Sequence, residues 1–408
     1  MINKQFFESK NINHNVFEDI KKEQDSIGYY NLPNQDVKYI QEYAKKITKK
    51  NIVIVGIGGS SLGSYAVYEF LKYTKDFDKN IIFCESTDPV LLNNTLTKLD
   101  LNDTVFLIIS KSGNTVETIS IFKYILSLVE FNKENFIIIS DKDSSLHKLS
   151  SDKDIDFFEI PSNVGGRFSV LSTVGLVPLA LVGVDIQKLL DGAKNIKDNF
   201  FNKSEIYESL LNKSNYYAKN ISNHNINCLF SYSEAFRGFN AWYVQLWGES
   251  LGKRQIHSSL NVGLTPIGLI GPTDQHSFLQ LIAEGKRDKS VTFLKVKDFN
   301  SNITIPNISI PYIEHLDYIN NTDFSSLINM QADSIITSLS NKSDIPLDII
   351  EIDEINEYTI GELFYYYELL TSLVSKFFDV DASARLSKPS LFASNALNAF
   401  SDASNWSS

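Results

Sequence analysis

TVFLIISKSGNTVETISIFKYILSLV, residues 104–129, holds a strand, a turn and a helix in one continuous reading. TVFLIIS (104–110) is an unbroken apolar run of strand length, and VETISIFKYILSLV (116–129) spaces its apolar residues at helical intervals. An apolar run without alternation is a strand buried on both faces, as in a parallel sheet covered by helices. The same unit recurs upstream, where NIVIVG (51–56) leads into SLGSYAVYEFLKY (61–73). NIIFCE (80–85) and NFIIIS (135–140) read as further strands of that sheet. A second alternation follows in INCLFSY (226–232), GLTPIGLIG (263–271) and SVTFLKV (290–296). The fold class expected is α/β: two doubly wound parallel-sheet domains, each three layers (α-β-α), with helical N- and C-terminal extensions.

At 408 residues the chain exceeds what one core ordinarily fills. The expected division is a helical N-terminal segment (1–48), a first α/β domain (49–186), a second (187–358) and a C-terminal helical tail (359–408). Residues 1–48 read as helical padding on the first domain. The Lys-, Asn- and Asp-rich stretch at 187–226 reads as solvent-facing helix. A long, largely buried helix is expected from Thr359 to Phe378.

The formal net charge is −11, and the pI of about 5.1 argues against nucleic-acid or polybasic membrane partners. Two cysteines, Cys84 and Cys228, give neither a disulfide framework nor a CxxC metal site, and they fit a reducing compartment. The start carries no apolar stretch of signal-peptide length. Val170 to Ile186, the most apolar segment, is interrupted by Gly175, Pro178 and Gly183 and reads as buried helix, not as a membrane span. A cytoplasmic protein is expected.

Two loops at strand ends have the makings of phosphate sites. GIGGSSLGS (56–64) joins a strand to a helix, where glycines allow close backbone approach and the helix start offers free N–H groups. Gly56 and Gly58 begin a dinucleotide fingerprint, and Glu85 lies at about the right distance for a ribose contact, but Ser61 stands where the third glycine belongs. Ser64 stands where a P-loop needs lysine. The second loop is SKSGNTVET (110–118). Ser110, Lys111, Ser112 and Thr115 offer three hydroxyls and an ammonium, and Asn114 with Glu117 has the spacing of an N-cap and its N3 partner. Hydroxyls and amides converging on a helix start suit a monophosphate; a turn rich in capping residues is the plainer reading.

Further candidates follow downstream. In QLWGESLGK (245–253), Gln245, Glu249 and Lys253 share one helical face, and Gly248 and Ser250 leave room beside the glutamate. A carboxylate suits removal of a proton next to a carbonyl, although an exposed Glu–Lys pair is the commoner fate. In GPTDQHSFLQLIAEG (271–285), Asp274 reads as an N-cap and Gly285 as a stop, putting His276 in a first helical turn that favours neutral imidazole. Arg167, after a glycine pair in VGGRFSVLS (164–172), could reach a developing oxyanion. Lys388, in ASARLSKPS, reads equally as a solvated helix end. No acidic or histidine cluster has metal-ligand spacing, so neither metal nor cofactor is expected.

GIGGSSLG, SKSGNTVET, GGRFSVLS, QLWGESLGK and GPTDQHSFLQL, in that order, resemble the phosphoglucose isomerase family, which is built from two sugar-isomerase domains. The resemblance implies reversible isomerisation of a hexose 6-phosphate, glucose to fructose, through a cis-enediol intermediate. It implies Glu249 as the base, His276 as the ring-opening histidine and Arg167 as the cation for the enediolate. Ser110, Lys111, Ser112 and Thr115 match the family's phosphate loop; Gly59, Ser60 and Gln245 match its sugar pocket. A homodimer is implied, with His276 supplied from the neighbouring subunit. At the C-terminus the family's Phe-Asp-Gln-Pro-Gly-Val-Glu run survives only as Phe378 and Asp379, and Lys388 falls one position beyond the spacing of the family's ring-opening lysine.

Three rivals compete with that reading. A sugar-phosphate sensor would keep the serine loop but has no need of Glu249, Arg167 and His276 together. A nicotinamide dehydrogenase would rest on the glycine loop and Glu85. A glucosamine-forming amidotransferase would need cysteine where Ile2 stands.

Overall fold

A computed structural model of the chain describes residues 1–258, 260–342 and 344–382. Its strands, in chain order, are β1 (Ile2–Gln5), β2 (Asn51–Val55), β3 (Asn80–Cys84), β4 (Thr104–Ile109), β5 (Phe136–Asp141) and β6 (Asp156–Ile160). There follow β7 (Ile226–Ser231), β8 (Lys253–Arg254), β9 (Asn261–Val262), β10 (Thr265–Ile270), β11 (Lys289–Val296) and β12 (Leu347–Ile352). The first sheet, in the order β3-β2-β4-β5-β6, is parallel throughout. The second, β1-β12-β11-β7-β10, is parallel apart from β1, which pairs antiparallel with β12. β8 and β9 form a separate antiparallel pair.

Every residue of β2 and β4 is buried, as their unbroken apolar runs require. Alternation along each strand decides which layer a side chain serves. Val53, Val55, Phe106 and Ile108 pack outward against one helical layer. Ile52, Ile54, Leu107 and Ile109 face inward and join Leu229, Leu294 and Ile350 of the second sheet in one continuous core. Helices fill the space between the sheets. The longest, Glu357–Phe377, starts at a capping box of Asn356 and Thr359 and is buried along most of its length. Among the described residues no helix is long and apolar enough to cross a membrane.

The sequence reading needs correction in two places. Residues 1–48, read as helical padding on the first half, open instead with β1 on the second sheet, where Asn3 Nδ2 donates to Asp348 Oδ2 at 2.8 Å. The polar stretch at 187–226 is not simply solvent-facing. Its helices, Ile186–Phe201 and Tyr207–Lys219, bury Leu189, Ile196, Phe200 and Leu210 beside the Glu357–Phe377 helix. The abundant polar residues there occupy the outer face of amphipathic helices.

Candidate active site

The loops after β2 and β4 meet at the carboxyl ends of the first sheet, where doubly wound sheets bind ligands. After β2 the chain makes a 3-10 turn, Gly58–Ser60, and enters the helix Leu62–Leu71. A Cβ on Gly59 would lie 2.4 Å from the Gly166 carbonyl, so only glycine lets this loop touch the loop that carries Arg167. Ser169 Oγ reinforces that contact by donating to the Gly59 carbonyl at 3.1 Å. Ser61 Oγ donates to Glu85 Oε2 at 2.8 Å, so the acid considered for a ribose contact closes the glycine loop.

After β4, Thr115 and not Asn114 holds the N-cap position of the helix Val116–Leu126. Its hydroxyl pairs with Ser110 Oγ at 2.8 Å instead of capping the helix, which is why the start lies one residue later than the Asn114–Glu117 spacing predicts. The first-turn amides of that helix are left without a side-chain cap, an arrangement suited to an anion. Lys111 Nζ donates to the carbonyls of Ser162 at 2.7 Å and Val164 at 2.6 Å. The lysine thereby ties this loop, too, to the residues leading into Arg167.

The helix Arg237–Leu251 faces both loops. Gln245 and Glu249, one turn apart, point the same way, and Gln245 Nε2 donates to Glu249 Oε1 at 2.9 Å. Gln245 Oε1 is buried with no partner among the described residues, an acceptor left for a ligand hydroxyl. The helix ends at Leu251, so Lys253 reaches the same cleft from β8 and not from the helical face expected for it. Arg167, which follows the glycine pair, is 6 % exposed in the 3-10 turn Gly166–Phe168. Its Nε donates to Ser250 Oγ at 2.7 Å, its Nη1 to Glu249 Oε2 at 3.3 Å and its Nη2 to the Ala382 carbonyl. Burial draws the guanidinium below its ordinary range, while the Glu249 charge opposes that shift. Lys253 is lowered in the same way, by burial first and then by the neighbouring Arg167 charge.

These groups enclose a cleft of about 450 Å³, a size that suits a small phosphorylated metabolite. Gly59, Ser60, Lys111, Ser112, Thr115, Arg167, Gln245 and Glu249 all line it, with Ser110 behind Thr115. Hydroxyls and helix amides make one end suited to a phosphate. At the other end a carboxylate lies against a buried guanidinium, which suits proton transfer beside a developing oxyanion. A larger cavity of about 500 Å³, near Gln275, Tyr318 and Met330, has no cation in its lining. Among the described residues no group of three or more His, Cys, Asp or Glu could hold a metal ion.

One predicted residue is not brought into this cleft. His276 is exposed and ends a 3-10 turn, Thr273–His276, instead of opening an α-helix. Asp274 does not cap a helix there; its carboxylate accepts from the Ile270 amide and the Ser277 hydroxyl, both at 2.7 Å. Lys388 lies outside the described residues. Ser250 and Lys253 are the additions that sequence reasoning missed as site residues. Their only signal was their place beside Glu249 in GESLGK.

The family model for phosphoglucose isomerase matches residues 16–382 of the chain. The glucose-6-phosphate isomerase of Campylobacter jejuni is 42 % identical over 354 residues, which cover 85 % of each chain. Among solved structures, a hypothetical protein from Thermus thermophilus superposes with a TM-score of 0.85 at 24 % identity, covering 94 % of this chain and 92 % of that one. A glucose-6-phosphate isomerase from Chlamydia trachomatis superposes with a TM-score of 0.76 at 20 % identity, covering 97 % and 80 %. Those two superpositions show a shared fold.

Proposed function

The chain belongs to the phosphoglucose isomerase family, and we propose that the cleft around Glu249 and Arg167 is where it carries out that family's reaction. Its activity is the reversible isomerisation of glucose 6-phosphate and fructose 6-phosphate, a step of glycolysis and gluconeogenesis. The observation that carries the assignment of the cleft is the 3.3 Å contact between Arg167 Nη1 and Glu249 Oε2, opposite a hydroxyl-lined helix start.

In this reading Ser110, Lys111, Ser112, Thr115 and the helix amides hold the phosphate, and that remote binding positions the sugar. Gly59, Ser60 and Gln245 line the path of the carbon chain. His276 of a second subunit, with Lys388, moves a proton between the anomeric hydroxyl and the ring oxygen. Glu249 then takes the proton from C2, and the electron pair forms a cis-enediolate with its charge on O1 facing Arg167; a proton passes from O2 to O1, and the same carboxyl returns its proton to C1 as the C2 carbonyl forms. The substrate's own atoms balance the reaction, so no cofactor or metal is required.

A homodimer in the cytoplasm is part of the proposal. Two features favour the second copy. His276 is exposed and is not among the residues lining its own chain's cleft. Residues 301–322 form a largely irregular arm that exposes Ile303, Ile308, Tyr312 and Tyr318, with Tyr312 95 % exposed. The test of the activity is turnover of fructose 6-phosphate by the purified chain in chelator-treated buffer, with glucose 6-phosphate the expected product. Binding of the sugar phosphate without turnover would instead mark a sensor.

A further inference from the structure

The segment that follows the last helix crosses to Arg167, and one residue fastens it on the way. Asp379 reverses the chain there with φ of 56°, in the left-handed region. Its carboxylate accepts from the His257 amide at 2.8 Å and pairs with His257 Nδ1 at 2.7 Å. Its carbonyl accepts from the Ile256 amide at 2.7 Å, and Gln255 Nε2 donates to the Phe378 carbonyl at 2.9 Å. Residues 255–257 thus grip 378–379 through both backbone and side chain. Three positions on, the Ala382 carbonyl takes the Nη2 of Arg167.

The guanidinium is planar and its donors are fixed in a fork, so where its acceptors stand decides where it points. Ser250 and Ala382 are acceptors supplied by the protein alone; Glu249 is the group that must work on substrate. We propose that Asp379 is a positioning residue for the isomerase reaction. By clamping residues 378–379 onto residues 255–257 it presents the Ala382 carbonyl, three positions on, to Arg167 and fixes the guanidinium against Glu249. This rests on the reading of Arg167 as the cation that faces the enediolate. His257 is 83 % exposed, so its side-chain contact with Asp379 adds little to stability, and the loss of the clamp belongs in turnover more than in unfolding.

The experiment compares Asp379→Ala, Asp379→Asn, Arg167→Lys and the double variant Asp379→Ala/Arg167→Lys in the full chain, with kcat and KM for fructose 6-phosphate and the melting temperature of each. Asp379→Ala is expected to lower kcat by about 10- to 100-fold through misplaced catalytic geometry, with KM changed by no more than about threefold. Asp379→Asn keeps an acceptor for the His257 amide and recovers part of the loss; it carries the same test if the alanine variant does not fold. In the Arg167→Lys background the alanine substitution should cost little more, because both changes act on one interaction. Wild-type kcat in Asp379→Ala and Asp379→Asn, or an equal loss in both backgrounds, overturns the proposal. Wild-type kcat in Arg167→Lys overturns the reading of Arg167 itself, and this inference with it.

Discussion

Arg167 and Glu368 are both buried charged residues, yet the fold provides for them differently. Arg167 has an acceptor for each of its three guanidinium nitrogens. Glu368 lies at full burial in the Glu357–Phe377 helix with neither carboxylate oxygen partnered among the described residues, and burial holds its carboxyl well above the usual range. A carboxyl raised in the folded state binds more protons folded than unfolded, so its contribution to stability is lost as pH rises above the unfolded value. Glu368→Met, which keeps the length and drops the polar group, is predicted to stabilise the chain by about 1–3 kcal/mol near pH 8. The gain should narrow towards pH 5. Urea unfolding at the two pH values checks this, and a less stable methionine variant at pH 8 would contradict it. At this scale Glu249, Arg167 and the serine loop line one cleft, although residue type alone left Glu249 and the loop a plainer reading and the family resemblance singled them out. The N-cap lies at Thr115, one position after the expected Asn114, and the Thr115 hydroxyl pairs with Ser110 across the loop, where no spacing rule looks. Ser250 escapes a sequence reading because it orients Arg167 from 83 positions away in the chain.

Helices and strands were legible where a single segment carried its own signal. β2, β4, β5 and β7 are apolar runs, and their places in the sequence agree with the structure to within a residue or two. β12, LDIIEI, gave no strand signal, because Asp348 and Glu351 interrupt it. The charge on Asp348 is answered from elsewhere: Lys213 Nζ donates to its Oδ2 at 2.7 Å and Thr292 Oγ1 to its Oδ1 at 2.7 Å, all in the interior. Removing one member of such a pair leaves the other buried and alone, so Lys213→Met is expected to cost about 3–5 kcal/mol, read as a lower urea midpoint. An unchanged midpoint would contradict the pairing. The contact between the last helix and Ile186–Phe201 is as specific. A Cβ on Gly361 would stand 2.0 Å from the Leu189 carbonyl, and one on Gly192 would stand 1.9 Å from that of Tyr358. Gly361→Ala is therefore predicted to destabilise by about 1–3 kcal/mol through forced separation of the helices. Stabilisation, the usual result of Gly→Ala in a helix, would refute the close approach.

At the scale of the whole molecule, the loops of the first sheet supply the hydroxyl-lined end of the cleft and the helix after β7 supplies Glu249, so the cleft is built from both halves. The two α/β halves were legible from their repeated strand–helix alternation. Their shared core was not, because Leu294 and Ile350 meet Ile54 and Leu107 only after the chain has doubled back. The proposed dimer extends that sharing to the second copy. Glu249→Gln and His276→Ala, each inactive alone, should regain activity when co-folded, since a hybrid dimer has one site with neither lesion. Random assortment predicts about a quarter of wild-type turnover; no recovery would place His276 outside the partner's site. The claim on which the rest depends is that Glu249 carries the proton between C2 and C1. Its most direct test is the turnover of fructose 6-phosphate by Glu249→Gln beside the wild type, with sugar-phosphate binding measured on both. The account predicts retained binding and a loss of about 10²- to 10⁴-fold in kcat; a glutamine variant that turns over at the wild-type rate would contradict it.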